Sequence, residues 1–432
     1  TSAVNIALPS IGKEFSLNAI LLSWVPTSYI LAAATFLVPF GRLADIYGRK
    51  RIFTYGIFVF SISSFLCAVS SSATALITSR ILQGFGSAMI FGTAVAIVTS
   101  AFPVGERGRV LGINVAAVYL GLSVGPFLGG VLTQHLGWRS IFFANVLLGL
   151  IIIFFLYWKL KGEWREAKGE KFDLSGSVIY GLTVVSIMYG FSLLPSIRGA
   201  GLLLLGTLGI FLFVRWEIRQ RHPVLDLNLI RNNPVFAFSN LAALINYSAT
   251  SAVAFLLSLY LQYIRKLSPQ DAGLILLFQP AVMTIFSPLA GRLSDRVEPR
   301  IVASTGMGFT AVSLFFLSFL NANTSTVFII VNLALLGFGF ALFSSPNTNA
   351  IMSSVEKKFY GIASGTLATM RLTGQMLSLG IAMLLFAVYI GRVQITPEYY
   401  PLFLKSEKAA FAILAALCFG GIFASLARGK VR

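Results

Sequence analysis

What this sequence has least of is charge. Only 11% of its 432 residues are Asp, Glu, Lys or Arg, where a soluble domain carries about 25%. A chain this poor in charge, and 56% hydrophobic, lacks the polar surface a water-soluble protein needs. It reads as an all-α polytopic membrane protein. Acid is scarcer than base, with 15 carboxylates against 33 cations and a net charge of +18. That excess does not point to nucleic acid, because the cations are spread over many short loops between apolar runs, as cytoplasmic loops of membrane proteins are. Two cysteines, Cys67 and Cys418, both inside apolar segments, imply neither a disulfide framework nor a metal cluster. Two histidines, His135 and His222, read as loop residues and leave no buried histidine relay. No phosphate-binding loop of the GxxxxGK[ST] type is present, which argues against direct ATP hydrolysis. Nor is there a histidine cluster or buried acid pair of the sort an intramembrane enzyme needs, so no enzyme activity, cofactor or metal is expected. No cleavable leader is visible, and "TSAVNIALPSIGKEF" reads as the second half of a helix.

What is there is a series of long apolar runs. A helix needs about 20 apolar residues to cross a bilayer. Cutting at charges, Gly and Pro predicts spans at 1–9, 20–41, 50–70, 74–101, 108–132, 138–158, 174–195, 199–216, 235–263, 270–291, 300–320, 325–347, 359–390 and 408–427, fourteen with a truncated first. The loops then fall into two alternating sets. One set, which includes the C-terminal tail, holds 23 Lys and Arg and the other 8, with Arg80 and Arg371 left inside spans. The richer set is placed in the cytoplasm, which puts both termini there and the protein in the plasma membrane.

One loop stands out. "GRLADIYGRKR" (41–51) crowds four cations and an acid between two apolar runs, and "GRLSDRVEPR" (291–300) repeats its opening. Weaker echoes keep nearly the same offset: "GFG" at 84–86 and 337–339, and Gly112 and Gly121 against Gly365 and Gly374. Several echoes in order suggest duplication, with parallel halves related by an axis along the membrane normal. The expected division is an N-terminal six-helix bundle at 1–160, two inserted helices at 174–216, and a C-terminal six-helix bundle at 235–427.

These residues resemble the major facilitator superfamily. "GRLADIYGRKR" matches its loop-2/3 motif. "RILQGFGSA" (80–88) is similar to its fourth-helix motif, and "GLSVGPFLGG" (121–130) to the fifth-helix motif of its antiporters. The count of spans, "VNIALPSI" (4–11), "GWRSIFFAN" (137–145) and "PNTNAIMSSVEKKFYGIASGTLATMR" (346–371) resemble the fourteen-helix drug:proton antiporter branch. That resemblance implies two six-helix bundles plus two inserted helices. It assigns proton coupling to Arg80. Relatives in that branch often carry an Asp in helix 1, two residues before the position of Ser2, which falls before Thr1.

All fifteen carboxylates read as loop or span-end residues, so no acid is expected at the membrane midplane. An intramembrane Arg is normally aimed at a partner or a wet cavity. Arg80 is therefore either a coupling residue or a structural polar pair. Arg371, with Gln375 one turn on, reads as a cavity-lining pair or a contact between helices. Asn5, Asn114, Asn240, Tyr247, Gln279 and Asn332 are the uncharged polar candidates. Asn240 and Tyr247 share a helical face, and Gln279 lies in a proline-interrupted segment of the kind that marks transporter sites. Single amides also glue helices together. Gly121, Gly125 and Gly129, at four-residue spacing, form a small-residue stripe where two helices can slide, and Pro126 adds a bend; with Gly130 these make up the motif that resembles that of the antiporters. Gly41 is expected to let helices 2 and 3 approach. Asp45 and Arg49 are expected to form an ionic latch with Glu106 and Arg109, weaker in the second copy at Asp295. The function expected is a monomeric secondary active exporter of small amphiphilic compounds, exchanging them for protons across the lipid bilayer. The alternative is an exporter of a neutral or anionic metabolite or lipid with different coupling.

Overall fold

In a bilayer the backbone must satisfy its own hydrogen bonds, and a helix does so within one segment. The computed structural model is helical accordingly. It describes all residues except 1, 102–106, 161, 168, 221–226, 295, 357–359 and 430–432, and omits the side chains of 99, 107–109, 111–116, 119, 227, 228, 230 and 361. The N-terminal helices are α1 (Ser2–Glu14), α2 (Ala19–Tyr47), α3 (Arg49–Ala68), α4 (Ala73–Ala101), α5 (Arg107–Leu136) and α6 (Arg139–Lys159). Then come α7 (Leu174–Leu193), α8 (Ile197–Glu217) and the short α9 (Leu227–Asn232). The C-terminal helices begin with α10 (Pro234–Thr250) and α11 (Val253–Leu259), which runs into a π-helical turn, Tyr260–Ile264. They continue with α12 (Pro269–Leu276), α13 (Phe278–Ser294), α14 (Pro299–Leu317), α15 (Thr326–Ser353), α16 (Tyr360–Tyr389) and α17 (Tyr400–Ala427).

Twelve segments among the described residues are long and apolar enough to cross a membrane, with α10 to the π turn counted as one and α12–α13 as another. Together with α1 and α5 they follow the order of the fourteen runs in the sequence. Local chemistry sets many starts. The side chains of Asn18, Asp173, Ser196, Asn233, Ser268 and Ser325 each accept a hydrogen bond from an amide in the first turn that follows, satisfying a donor the helix cannot. Pro234 and Pro269 take the first helical position, where a missing N–H does no harm.

α2 does not stop at Gly41. It runs on to Tyr47, so "GRLADIY" is helical and the turn is at Gly48, whose φ of +125° suits glycine. The span read at 408–427 likewise starts earlier, at Tyr400. Charges mark where a helix leaves the bilayer, not where it ends.

The packing has a reciprocal pattern. α1 packs on α11, α2 on α16, and α5 on α12 and α13. The starts of α4 and α15 lie 253 residues apart, as do those of α5 and α16. On that offset α1 corresponds to the α11 segment and α2 to α12–α13. The α2–α16 contact and the α5–α12/α13 contact are thus the same pairing made twice, with partners exchanged. α7 packs on α8 and lies against both α2 and α16, over the line where N- and C-terminal helices meet. α6 and α8 face outward, with Leu147, Leu150, Phe154, Leu204, Leu208 and Phe211 exposed, as lipid-facing helices are.

Candidate functional site

Three groups of residues carry the candidate chemistry: a charged cluster at the motif end of the bundle, a buried polar network in its N-terminal half, and the seam between N- and C-terminal helices.

At the motif end, Arg49 is 4% exposed and lies at the centre. Its guanidinium donates to Asp45 Oδ1 at 2.8 Å and, in a two-pronged contact, to both carboxylate oxygens of Glu166 at 2.7 Å. It also reaches Ser100 Oγ at 2.6 Å, which ties α4 to the cluster. Arg42 pairs with Glu170. Glu163 accepts from the backbone amides of Lys50 (2.9 Å) and Arg51 (3.2 Å), the first turn of α3. Backbone bonds knit the same strip: Arg49 N donates to the Trp164 carbonyl, and Ala167 N to that of Asp45. Asp45 and Arg49 thus pair with each other within this cluster. Their further partners come from the linker between α6 and α7, "GEWREAKGE". Glu106, Asp295 and the side chain of Arg109 lie outside the described residues. The cap on α3 is Glu163, while Asp45 is still inside α2. Gly41 faces α4: Gly92 packs onto its backbone, so the close approach is between α2 and α4.

Arg80 is 2% exposed in α4. Its Nε donates to the Val25 carbonyl at 3.1 Å, its Nη1 to Gln83, and its guanidinium stacks on the Tyr29 ring, 4.4 Å from the centroid. Gln83 passes the network to Ser64 (2.6 Å), and Tyr29 pairs with Ser87 (2.7 Å). Among the described residues no carboxylate pairs with Arg80, and its Nη2 has no hydrogen-bond partner. A buried guanidinium here is held by dipoles and an aromatic face.

The seam is tightest at the end opposite the motif. There Ser258 Oγ donates to the Asn5 carbonyl (2.7 Å), and Gln262 Nε2 to that of Ile6 (2.9 Å). His135 meets Gln270 at 3.1 Å, and Ala19 N donates to the Val393 carbonyl. The glycine stripe divides its work. A Cβ on Gly129 would come within 2.7 Å of Ala3, and one on Gly130 within 2.5 Å of the Pro269 carbonyl. The Pro126 carbonyl in turn fills the space over Gly273. Gly125 packs on Ser2, while Gly121 has nothing within 4 Å. α5 therefore touches α1 on one side and α12 on the other, both by backbone contact. Deeper in, the seam is held by Ser123 and Thr284 at 3.0 Å, and by Leu372 against Ala33, Ala34 and Leu37.

The cavity candidates scatter. Arg371 lies 5.3 Å over the Tyr247 ring, with Tyr247 edge-on to Phe340, and Arg371 and Gln375 are both half-buried on α16. These come together at the seam side of α10 and α16. Asn240 and Asn332 bond carbonyls one turn back in their own helices, the glue reading of such residues. Asn5 contributes its carbonyl to the seam. Gln279 is half-buried beside the break between α12 and α13, its carbonyl packed on Gly337. The side chain of Asn114 lies outside the described residues. A cavity of about 400 Å³ between Ile20, Leu193–Ser196, Ala387 and Arg392 involves none of them.

Among the described residues, the buried groups that sequence alone does not single out include Asn246 and Glu407. Asn246 in α10 is fully buried, with neither amide atom bonded among the described residues. Glu407 in α17 is also 0% exposed. In sequence it reads as a loop acid, because Lys408 marks the edge of the apolar run, whereas the helix starts at Tyr400.

The family model for the major facilitator superfamily matches residues 1–378, and again 239–430. The chain belongs to the major facilitator superfamily. It is similar to the riboflavin transporter RibZ of Clostridioides difficile, 31% identical over 424 residues that span 98% of this chain and 92% of the relative. It is also similar to the multidrug resistance protein Stp of Mycobacterium tuberculosis, 32% identical over 394 residues, 90% of this chain and 73% of the relative. Among solved structures, a peptide transporter POT superposes with a TM-score of 0.68 at 15% identity, covering 97% of this chain and 90% of that one. The superfamily consists of membrane transporters, and this chain is an integral membrane transporter rather than an enzyme.

Proposed function

We propose that this member of the superfamily is a monomeric secondary active exporter of amphiphilic compounds, of the multidrug type and the fourteen-helix branch, working by proton antiport in the plasma membrane. In this reading 1–160 and 235–427 are two bundles that rock about the seam, 174–216 is the inserted pair, and the motif end is cytoplasmic, as are both termini. The observation that carries the reading is how differently the two ends are held. The far end is closed by bonds that cross from N- to C-terminal helices. The charged cluster at the motif end ties α2, α3 and α4 to their own linker. A seam of Gly, Ala, Ser and Thr between them can open by sliding rather than by breaking salt bridges. The resistance protein among its relatives supports the substrate class. The guanidinium of Arg80 keeps its proton at any physiological pH, so its part in coupling is to hold a fixed positive charge between α2 and α4.

A second reading rests on Arg371 over Tyr247. A half-buried cation on an aromatic ring, with no carboxylate paired to it among the described residues, suits a neutral or anionic aromatic compound. The riboflavin transporter among the relatives points the same way. One experiment separates the readings. Purified protein in sealed vesicles is given an imposed pH gradient and three probes: a cationic dye, riboflavin, and an anionic amphiphile. Gradient-dependent movement of the dye supports the first reading, and movement of only the other two supports the second. If none of the three moves with the gradient, both fail.

A further inference from the structure

Glu407 lies two turns into α17, fully buried, and neither carboxylate oxygen has a hydrogen-bond partner among the described residues. Its neighbours along the helix, Phe403, Ala410, Phe411 and Leu414, are buried and apolar, and Phe403 packs on Phe386 of α16. Lys405 and Lys408 are exposed on the other face. Several titratable groups stand on the elements packed against α17: Tyr247 on α10, Arg300 on α14, Tyr360, Arg371 and Tyr389 on α16, Tyr260 and Tyr263 on the π turn, and Glu398 and Tyr399 just before α17. Of these, Tyr260 on the π turn interacts electrostatically with Glu407. Its hydroxyl is already committed to the Asn321 carbonyl at 2.7 Å. A carboxylate charge without a partner is not tolerated in such a place, whereas a neutral acid is.

The π turn makes this group more than a buried oddity. Extra-residue turns of this kind recur at functional sites. One face of the α11–π segment presents Tyr260 to Glu407. The other presents Ser258 and Gln262, which bond the Asn5 and Ile6 carbonyls of α1 and close the far end. Glu407 and the far-end seam are thus back to back across one short helical segment.

We propose that Glu407 is a proton-binding site linked to closure of the far end. When that end opens and water reaches the carboxylate, Glu407 is ionised. On closing, the carboxylate takes a proton from hydronium, giving the neutral acid and a water molecule, and the π turn seats against α1. No other bond forms or breaks. The proposal rests on the alternating-access reading above and adds one group that ties a proton to it. Linkage fixes the sign and size. Closure takes up one proton, so lowering the pH favours the closed far end, by up to about tenfold in the closed-to-open ratio per pH unit while the open form is ionised.

The test uses the full chain with spin labels at Lys13→Cys and Lys266→Cys, exposed far-end positions on either side of the seam. The native Cys67 and Cys418 are buried and spared by the label. Interspin distances are measured from pH 5 to 9 without substrate. The wild-type closed fraction should rise as pH falls. Glu407→Gln, an isostere of the neutral acid, should be closed and flat across the range, and Glu407→Asp should restore the slope. His135 also lies at the seam, against Gln270, so His135→Gln is run in parallel and should keep the slope. A wild-type slope retained in Glu407→Gln, or abolished by His135→Gln, overturns the proposal. The readout needs no substrate. A pH-dependent seam without gradient-driven flux would therefore sink the export reading alone, and flux with a Glu407-independent seam would sink this one alone.

Discussion

Arg80 in α4 and Glu407 in α17 are both sealed inside the membrane-spanning part of the molecule, one in each half, yet their surroundings differ in kind. Arg80 is met by a carbonyl, an amide side chain and an aromatic face, with further hydroxyls behind them. Glu407 has the buried Phe403 and Phe411 one turn away on either side of it in α17. The first environment is built to keep a charge and the second to refuse one. A group that must gain and lose a proton needs the second kind, because only there does moving the protein change the protonation state. A group that stays charged through the cycle needs the first. The two share an intramembrane location, and what divides their roles is the polarity of the nearest few ångströms.

The most damaging way to probe that contrast is Arg80→Ala. It strips the donor from Gln83 Oε1 and leaves the Val25 carbonyl only Ser28 as a side-chain donor, in a dry site where an unsatisfied group costs about 1–3 kcal/mol. Transport should fall more than tenfold in gradient-driven and in downhill assays alike, with a lower melting temperature of the purified protein. Glu407→Gln should leave the melting temperature near wild type, hold the far end closed and remove the pH response. If Arg80→Ala melted like wild type, the charge-holding role would be wrong. Arg80→Lys sharpens the result, since an ammonium cannot span the carbonyl and the amide as the planar fork does. It should recover less than half of the lost activity.

The next largest effect should come from Arg49, which has a counterpart in Arg428 at the same end of the C-terminal helices. Arg49 is neutralised by Asp45 and Glu166. Arg428, 1% exposed, is held by neutral groups: the Ser425 carbonyl and hydroxyl and Asn347 Oδ1. Burial pushes its guanidinium down to about 10, which leaves it charged at neutral pH. Arg49→Ala leaves Asp45 largely buried without its cation, a loss on the order of 3 kcal/mol. It should show as a lower melting temperature and slower transport. Glu166→Gln, at a carboxylate 67% exposed, should cost under about 1 kcal/mol. Equal effects from the two substitutions would mean that the linker, rather than the pair inside α2 and α3, holds the motif end.

The glycine stripe offers a milder comparison within one helix. Gly129→Val places branched carbons against Ala3, while Gly121→Ala adds a methyl to open space. The first should shift the far end towards open and raise thiol labelling of Lys266→Cys severalfold. The second should leave labelling unchanged.

Much of this architecture was legible because apolar length is set by the bilayer, and it registers in sequence whatever the tertiary packing. The twelve candidate spans with α1 and α5 follow the predicted order for that reason. The break at Leu277 was legible too, since Pro280 removes a donor and displaces the carbonyl four residues before it. The break between α10 and α11 was not. "SATSAVAF" contains no Gly or Pro, and the freed amide of Ala252 is met by Ser378, 126 residues away. The linker acids Glu163, Glu166 and Glu170 were missed because they were counted in a basic loop, where their spacing has meaning only once Arg42 and Arg49 are seen beside them. Glu407 was missed because a carboxylate between two lysines reads as solvated. The helix turns the lysines out and the carboxylate in, and only the packing of α14, α16 and the π turn decides that.

The smallest effect tests the cap on α3. Glu163 supplies its carboxylate to the first free amides of the helix from another segment, where the N-terminal dipole favours a negative charge. The turn itself is made by Gly48, with Glu163 seated over its Cα in space a side chain would need. Glu163→Ala should lower stability by about 0.5–1 kcal/mol, and less at high salt, because the site is exposed and the charge is screened. Transport should change less than twofold. Glu163→Gln separates the two contributions: the amide oxygen can still accept from Lys50 and Arg51 but brings no charge. Melting curves at low and high ionic strength should therefore converge for the wild type and Glu163→Gln as salt is added, and stay apart for Glu163→Ala. If all three coincided at every salt concentration, the linker would be held by Arg42 and Arg49 alone, and the cap would be a consequence of that clasp instead of a part of it.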